Sequence, residues 1–191
     1  MRVLGIAGSL RAGSLNRQLL RLTAEELPEG VELELYGGLA QIPPYDQDLD
    51  DLQPDEVERL KQAIADADAI LVATPEFNGS IPGQLKNAFD WVSRPLADNP
   101  IRSKPVAVIG ASTSSFGGIW AQRELKKVLG IMGARVVDVE LPVAKADRRL
   151  ADPDPELRIE LVGVLRAIVA AVQSVEVPTD GATAAAASLA A

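Results

Sequence analysis

The run Val3-Leu4-Gly5-Ile6-Ala7-Gly8-Ser9-Leu10-Arg11-Ala12-Gly13-Ser14-Leu15-Asn16 decides how this chain folds. A short apolar block stops at Gly8, a polar glycine-containing turn follows, and Leu15, Leu19 and Leu22 then recur at helical spacing. That is a strand, a tight connection and a helix. Ser14 is a natural N-cap, and the free amides of a helix N-terminus at such a turn favour an anion.

Outward from this unit the same grammar repeats. Val31, Leu33 and Leu35 alternate with Glu32, Glu34 and Tyr36, the pattern of a half-buried strand. Val57, Leu60, Ile64 and Ala67 form a helical stripe. Residues 69–74 and 106–110 are continuous apolar runs, as expected of strands covered on both faces of a parallel sheet. Ala121, Leu125, Val128, Leu129 and Met132 mark a further helix. Val136, Val137, Val139 and Leu141 mark a last strand, and Leu157, Leu161, Leu165, Ile168 and Val172 a last helix. Strands alternating with helices predict five strands and five helices in an α/β fold with a parallel sheet. Ligands in such sheets bind beyond the carboxyl ends of the strands.

Composition closes many routes. The 191 residues contain no cysteine and no histidine. Cysteine nucleophiles, thiolate metal sites, histidine bases and Ser-His-Asp triads are therefore excluded. The formal charge of −8 repels phosphate backbones, so no nucleic-acid partner is expected. No apolar stretch approaches the roughly 20 residues of a membrane span, and the first apolar run leads into a glycine turn rather than a cleavage site. Neither a membrane partner nor a signal peptide is expected, and the expected location is cytoplasmic.

Three loops at the carboxyl ends carry the polar and aromatic residues. In the first, Ser9, Arg11, Ser14 and Asn16 supply hydroxyls, a guanidinium and an amide suited to a phosphate. The spacing of Gly8 and Gly13 copies a nucleoside-triphosphate loop, but Ser14 stands where lysine is required, and the dinucleotide fingerprint is absent. A single terminal phosphate, as on a mononucleotide, fits better. The second loop, Thr74-Pro75-Glu76-Phe77-Asn78-Gly79-Ser80-Ile81-Pro82-Gly83, contains an Asn-Gly turn signal, with Ser80 as a possible cap and Pro82 in the first helical turn. Phe77 is unexpected in so polar a turn. The third, Gly110-Ala111-Ser112-Thr113-Ser114-Ser115-Phe116-Gly117-Gly118, is followed by Trp120. Phe77, Phe116 and Trp120 are three of only seven aromatics, a bias that points to a planar ligand or a partner subunit.

The segment from Gly8 to Asn16, the segment from Pro75 to Gly83 and its continuation Leu85-Lys86-Asn87-Ala88-Phe89-Asp90-Trp91 together resemble the NADPH-dependent FMN reductase family of flavodoxin-like quinone, chromate and azo reductases. The likeness runs to about residue 133. It implies a three-layer sandwich with a five-stranded parallel sheet in the order 2-1-3-4-5 and helices on both faces. Residues 1–174 would form one FMN-binding domain, and the alanine-rich residues 175–191 a disordered tail. Ser9, Arg11, Ser14 and Asn16 would hold the FMN phosphate, with Leu15 along the ribityl chain. Pro75, Glu76, Phe77 and Asn78 would edge the isoalloxazine, and Ser112 would close the other side. The implied reaction passes hydride from NADPH or NADH through FMN to a quinone, azo, chromate or flavin acceptor, in a homodimer or homotetramer. No acid–base or nucleophilic residue is required, because the chemistry is the cofactor's own. A flavodoxin-like electron carrier or flavin-binding regulator without nicotinamide turnover is the alternative. Two positions depart from the family pattern: Phe77 replaces a usual tyrosine, and Trp120 stands where many relatives carry arginine, with Arg123 three residues on.

Overall fold

The computed structural model describes residues 1–153 and 155–176. Strand β1 (Arg2–Ala7) is followed by helix α1 (Leu15–Glu25), β2 (Glu32–Leu35), α2 (Asp55–Asp66), β3 (Ala69–Ala73) and α3 (Gly83–Val92). Then come β4 (Pro105–Ala111), α4 (Ile119–Ile131), β5 (Arg135–Val136), β6 (Pro142–Val143), the short α5 (Ala146–Arg149) and α6 (Pro155–Glu176). All strand pairings are parallel, in the order β2-β1-β3-β4-β5, with β6 also on β4. This is the expected flavodoxin-like order.

The apolar runs explain the layering. Every residue of β3 and β4 is buried. Ile70, Val72, Val106 and Val108 face one side, where Val57, Leu60 and Ile64 of α2, Leu85 and Phe89 of α3, and Leu125 and Leu129 of α4 cover them. Leu71, Ala73, Ala107 and Ile109 face the other, against Leu19 and Leu20 of α1 and Leu157, Leu161 and Ile168 of α6. Successive side chains of a strand point to opposite faces, so a strand with a helix layer on each side must be apolar throughout. β2, on the edge, keeps its alternation, with Glu32 and Glu34 exposed and Leu33 and Leu35 half-buried.

The fifth strand differs from the expectation. Val136 lies opposite Val106 and Pro142 opposite Gly110, so four steps along β4 correspond to six along the edge. The two surplus residues loop out between β5 and β6, and the single expected strand becomes two short ones. An edge interrupted this way resists pairing with other chains. Beyond it α5 is an additional helix that periodicity does not reveal, being only four residues long. The final helix continues to Glu176, and the rest of the expected tail at 175–191 lies outside the described residues. No helix among the described residues is long and apolar enough to cross a membrane.

Candidate active site

The order β2-β1-β3 reverses direction between β1 and β3, and the loops after β1, β3 and β4 meet at that end of the sheet. They enclose a cleft of about 350 Å³ lined by Ser9, Arg11, Leu15, Asn16, Pro75, Glu76, Phe77, Ala111, Ser112 and Thr113. Eight of the ten residues expected from the sequence therefore line one cavity. Ser14 and Asn78 are the exceptions. Ala111 and Thr113 are additions that carry no distinguishing signal beyond their place in the third loop.

The first loop is built to present donors. Ser14 is the N-cap of α1, and its Oγ accepts from the Arg17 amide at 3.2 Å. The hydroxyl proton of Ser14 remains available as a donor. The amides of Leu15 and Asn16, in the first turn, have no acceptor among the described residues. Ser9 is almost wholly buried beside them. Arg11 is exposed and folds back so that Nη2 donates to the Gly13 carbonyl at 3.1 Å, with no carboxylate within ion-pair distance among the described residues. A cation, a hydroxyl and open helix amides are groups of the kind that suit an anion.

Asn16 has a different part from the one its residue type suggests. Its side chain is buried, Nδ2 donates to the Ala111 carbonyl at 3.0 Å, and Oδ1 accepts from the Ala111 amide at 2.9 Å. Through this donor and acceptor the side-chain amide ties α1 to the end of β4.

The second loop is a type I′ turn. Asn78 and Gly79 have φ of +54° and +76°, and Phe77 and Ser80 exchange two backbone hydrogen bonds of 3.0 and 3.1 Å. This geometry throws the Phe77 ring outward, 56% exposed. Ser80 is thereby used in the turn and does not cap α3. Pro82 takes the position before that helix, with no side-chain cap. The continuation of the motif is structural: Asn87 Nδ2 and Trp91 Nε1 donate to the Pro43 carbonyl at 2.8 and 2.9 Å, and Asn87 Oδ1 accepts from the Tyr45 amide at 2.7 Å.

Glu76 reaches across to the third loop. Its Oε2 accepts from the Trp120 and Ala121 amides at 3.0 and 3.1 Å, capping α4, whose own N-cap Gly118 has no side chain to do so. A carboxylate there also meets the positive end of the helix dipole. The third loop is ordered by its serines. Ser112 Oγ accepts from the Ser114 amide at 3.1 Å, and Ser114 Oγ accepts from the Phe116 amide at 3.3 Å. Gly117 permits a close approach, since a Cβ there would lie 2.3 Å from the Pro142 carbonyl carbon. Arg123 is not directed to the cleft. Its Nε and Nη2 fork onto Glu140, in the segment between β5 and β6, at 3.0 and 3.1 Å. That hydrogen bonding holds the Glu140 carboxyl below its ordinary range and pushes the Arg123 guanidinium up.

The cleft has neither a metal-ligating cluster among the described residues nor a nucleophile paired with a base. What its side chains can do is bind an anionic tail and a flat group.

Known proteins share this architecture. The family model for NADPH-dependent FMN reductases matches residues 1–148. An NAD(P)H-dependent FMN reductase of Pseudomonas aeruginosa is 45% identical over 130 residues, covering 68% of this chain and 69% of that protein. A quinone reductase of Escherichia coli is 38% identical over 140 residues, covering 72% and 74%. Among solved structures, FerB, a flavoenzyme NAD(P)H:(acceptor) oxidoreductase from Paracoccus denitrificans, superposes with a TM-score of 0.80 at 34% identity, over 91% of this chain and 97% of that one.

Proposed function

The chain belongs to the NADPH-dependent FMN reductase family, and from that premise and the shape of its cleft we propose that it is an FMN-dependent NAD(P)H oxidoreductase acting on small-molecule acceptors. The observation that supports the reading is a cleft at the switch point that brings Ser9, Arg11 and the first turn of α1 together with the Phe77 turn. FMN held by these residues would supply the two-electron chemistry between a reduced nicotinamide and the acceptor.

The residues bind and orient. Arg11, the Ser9 and Ser14 hydroxyls and the amides of Leu15 and Asn16 grip the phosphate. The Leu15 side chain lies along the sugar-alcohol chain. Pro75, Glu76, Phe77 and Asn78 present the backbone of the second loop to the ring system, and Ser112 closes the opposite side. Residues 1–174 act as the FMN-binding unit. The exposed Phe77 suits a subunit contact in a homodimer or homotetramer, and the nicotinamide requirement suits a cytoplasmic setting.

The test is direct. Purified protein is expected to carry or take up FMN, with a flavin absorption spectrum, and anaerobic mixing with NADPH or NADH is expected to bleach it. Failure to take up FMN refutes the reading. Bound flavin that stays oxidised would instead assign an electron carrier or regulator.

A further inference from the structure

Phe116 and Trp120 flank the paired glycines that lead into α4. Their ring centroids are 4.8 Å apart at an interplanar angle of 53°. Both residues are exposed, Phe116 by 57% and Trp120 by 47%. The pair is held in place from both sides: Ser114 Oγ accepts the Phe116 amide, and Glu76 Oε2 accepts the Trp120 amide. Glu76 also lines the cleft, so the carboxylate that holds the Trp120 backbone belongs to the cleft wall and the pair stands next to it. Exposed, paired rings beside a cleft offer a flat apolar surface to another ring.

Charge narrows what that other ring can be. Arg123, the next cation along α4, is forked onto Glu140. The Glu76 carboxylate is used by helix amides. A compact oxyanion therefore meets no unpaired guanidinium from Arg123, whereas a neutral planar molecule buries the exposed ring faces without stripping water from a charge.

We propose that the Phe116–Trp120 pair determines acceptor specificity by stacking a neutral planar aromatic acceptor, a quinone of naphthoquinone size, beside the cleft. This rests on the oxidoreductase reading above and adds the residues that select the acceptor. Wild-type holoenzyme is first assayed for FMN uptake and NAD(P)H oxidation with ferricyanide, which tests that reading by itself. The inference is then read from kcat/KM for 1,4-naphthoquinone divided by kcat/KM for ferricyanide. Trp120→Ala and Phe116→Ala are expected to lower this ratio about tenfold through a higher naphthoquinone KM, and Trp120→Phe to stay near wild type. A second readout needs no turnover. Trp91 is buried and Trp120 is half exposed, so naphthoquinone titrated into the oxidised holoenzyme is expected to quench tryptophan fluorescence saturably, and Trp120→Phe to abolish that phase. An unchanged ratio in both alanine variants overturns the inference, as does an equal fall for both acceptors. A rise confined to the KM of the nicotinamide also overturns it, since the pair would then seat the cosubstrate. Wild-type protein that binds no FMN removes the oxidoreductase reading and the inference together.

Discussion

Asn16 and Ala111, 95 positions apart, exchange two hydrogen bonds: the Asn16 side-chain amide donates to the Ala111 carbonyl and accepts from the Ala111 amide. The side chain imitates the peptide of a neighbouring strand and extends the sheet by one rung at the end of β4. It thereby sets where the first turn of α1, with its open amides, stands relative to the third loop.

Replacing Asn16 with alanine strands both backbone groups of the buried Ala111. The apoprotein is expected to lose about 2–4 kcal/mol of stability, measured by urea denaturation without FMN. A ligand-only role for Asn16 would leave the apoprotein unchanged and weaken only FMN binding.

Arg11 is exposed and, among the described residues, bonds only the Gly13 carbonyl of its own loop, so its removal should cost little stability. Arg11→Ala is expected to weaken FMN binding by about 1.5–3 kcal/mol, as for a hydrogen bond to a charged group, and to leave riboflavin affinity nearly unchanged. Flavin fluorescence titrations make the comparison. Equal losses for both ligands would place the phosphate elsewhere.

Glu76 acts on α4 from 44 positions away. Glu76→Ala is expected to cost about 1–2 kcal/mol, the range for a lost helix cap, and to loosen the Trp120 environment. Glu76→Gln, which keeps an acceptor oxygen but loses the charge, should cost less. Denaturant midpoints and near-ultraviolet circular dichroism report the two effects.

The Arg123–Glu140 pair makes stability depend on acid pH. Hydrogen bonding to Arg123 holds the Glu140 carboxyl below its ordinary range in the folded chain. Its contribution is therefore complete above the ordinary glutamate value and is lost as pH falls through the lowered folded value. Glu140→Gln is expected to lower the Tm slightly at pH 7, because the pair is solvent-exposed, and the deficit should close in acid. A deficit that persists unchanged at pH 3 would contradict the assignment.

Much of this was legible in the sequence. The alternation of Glu32–Leu35 and the unbroken apolar runs of β3 and β4 marked an edge strand and two central strands. Ser14 was readable as a cap and Asn78-Gly79 as a turn of positive φ. The residues of the cleft were readable too, but their duties were only partly so. Asn16 is spent on Ala111 and Arg123 on Glu140, and each engages a group it had no local reason to meet.

The fold class and the position of the binding loops were set by the chain's local patterning, and the strand order was implied by the resemblance of its motifs to the family. Periodicity, capping and turn chemistry act over two to four residues and can be read in order. The broken edge strand, the tie from Asn16 to Ala111 and the cap from Glu76 to α4 were decided only in three dimensions. Each depends on the register of elements that meet after the sheet is assembled. Backbone groups left open there take whichever buried partner the packing brings within reach.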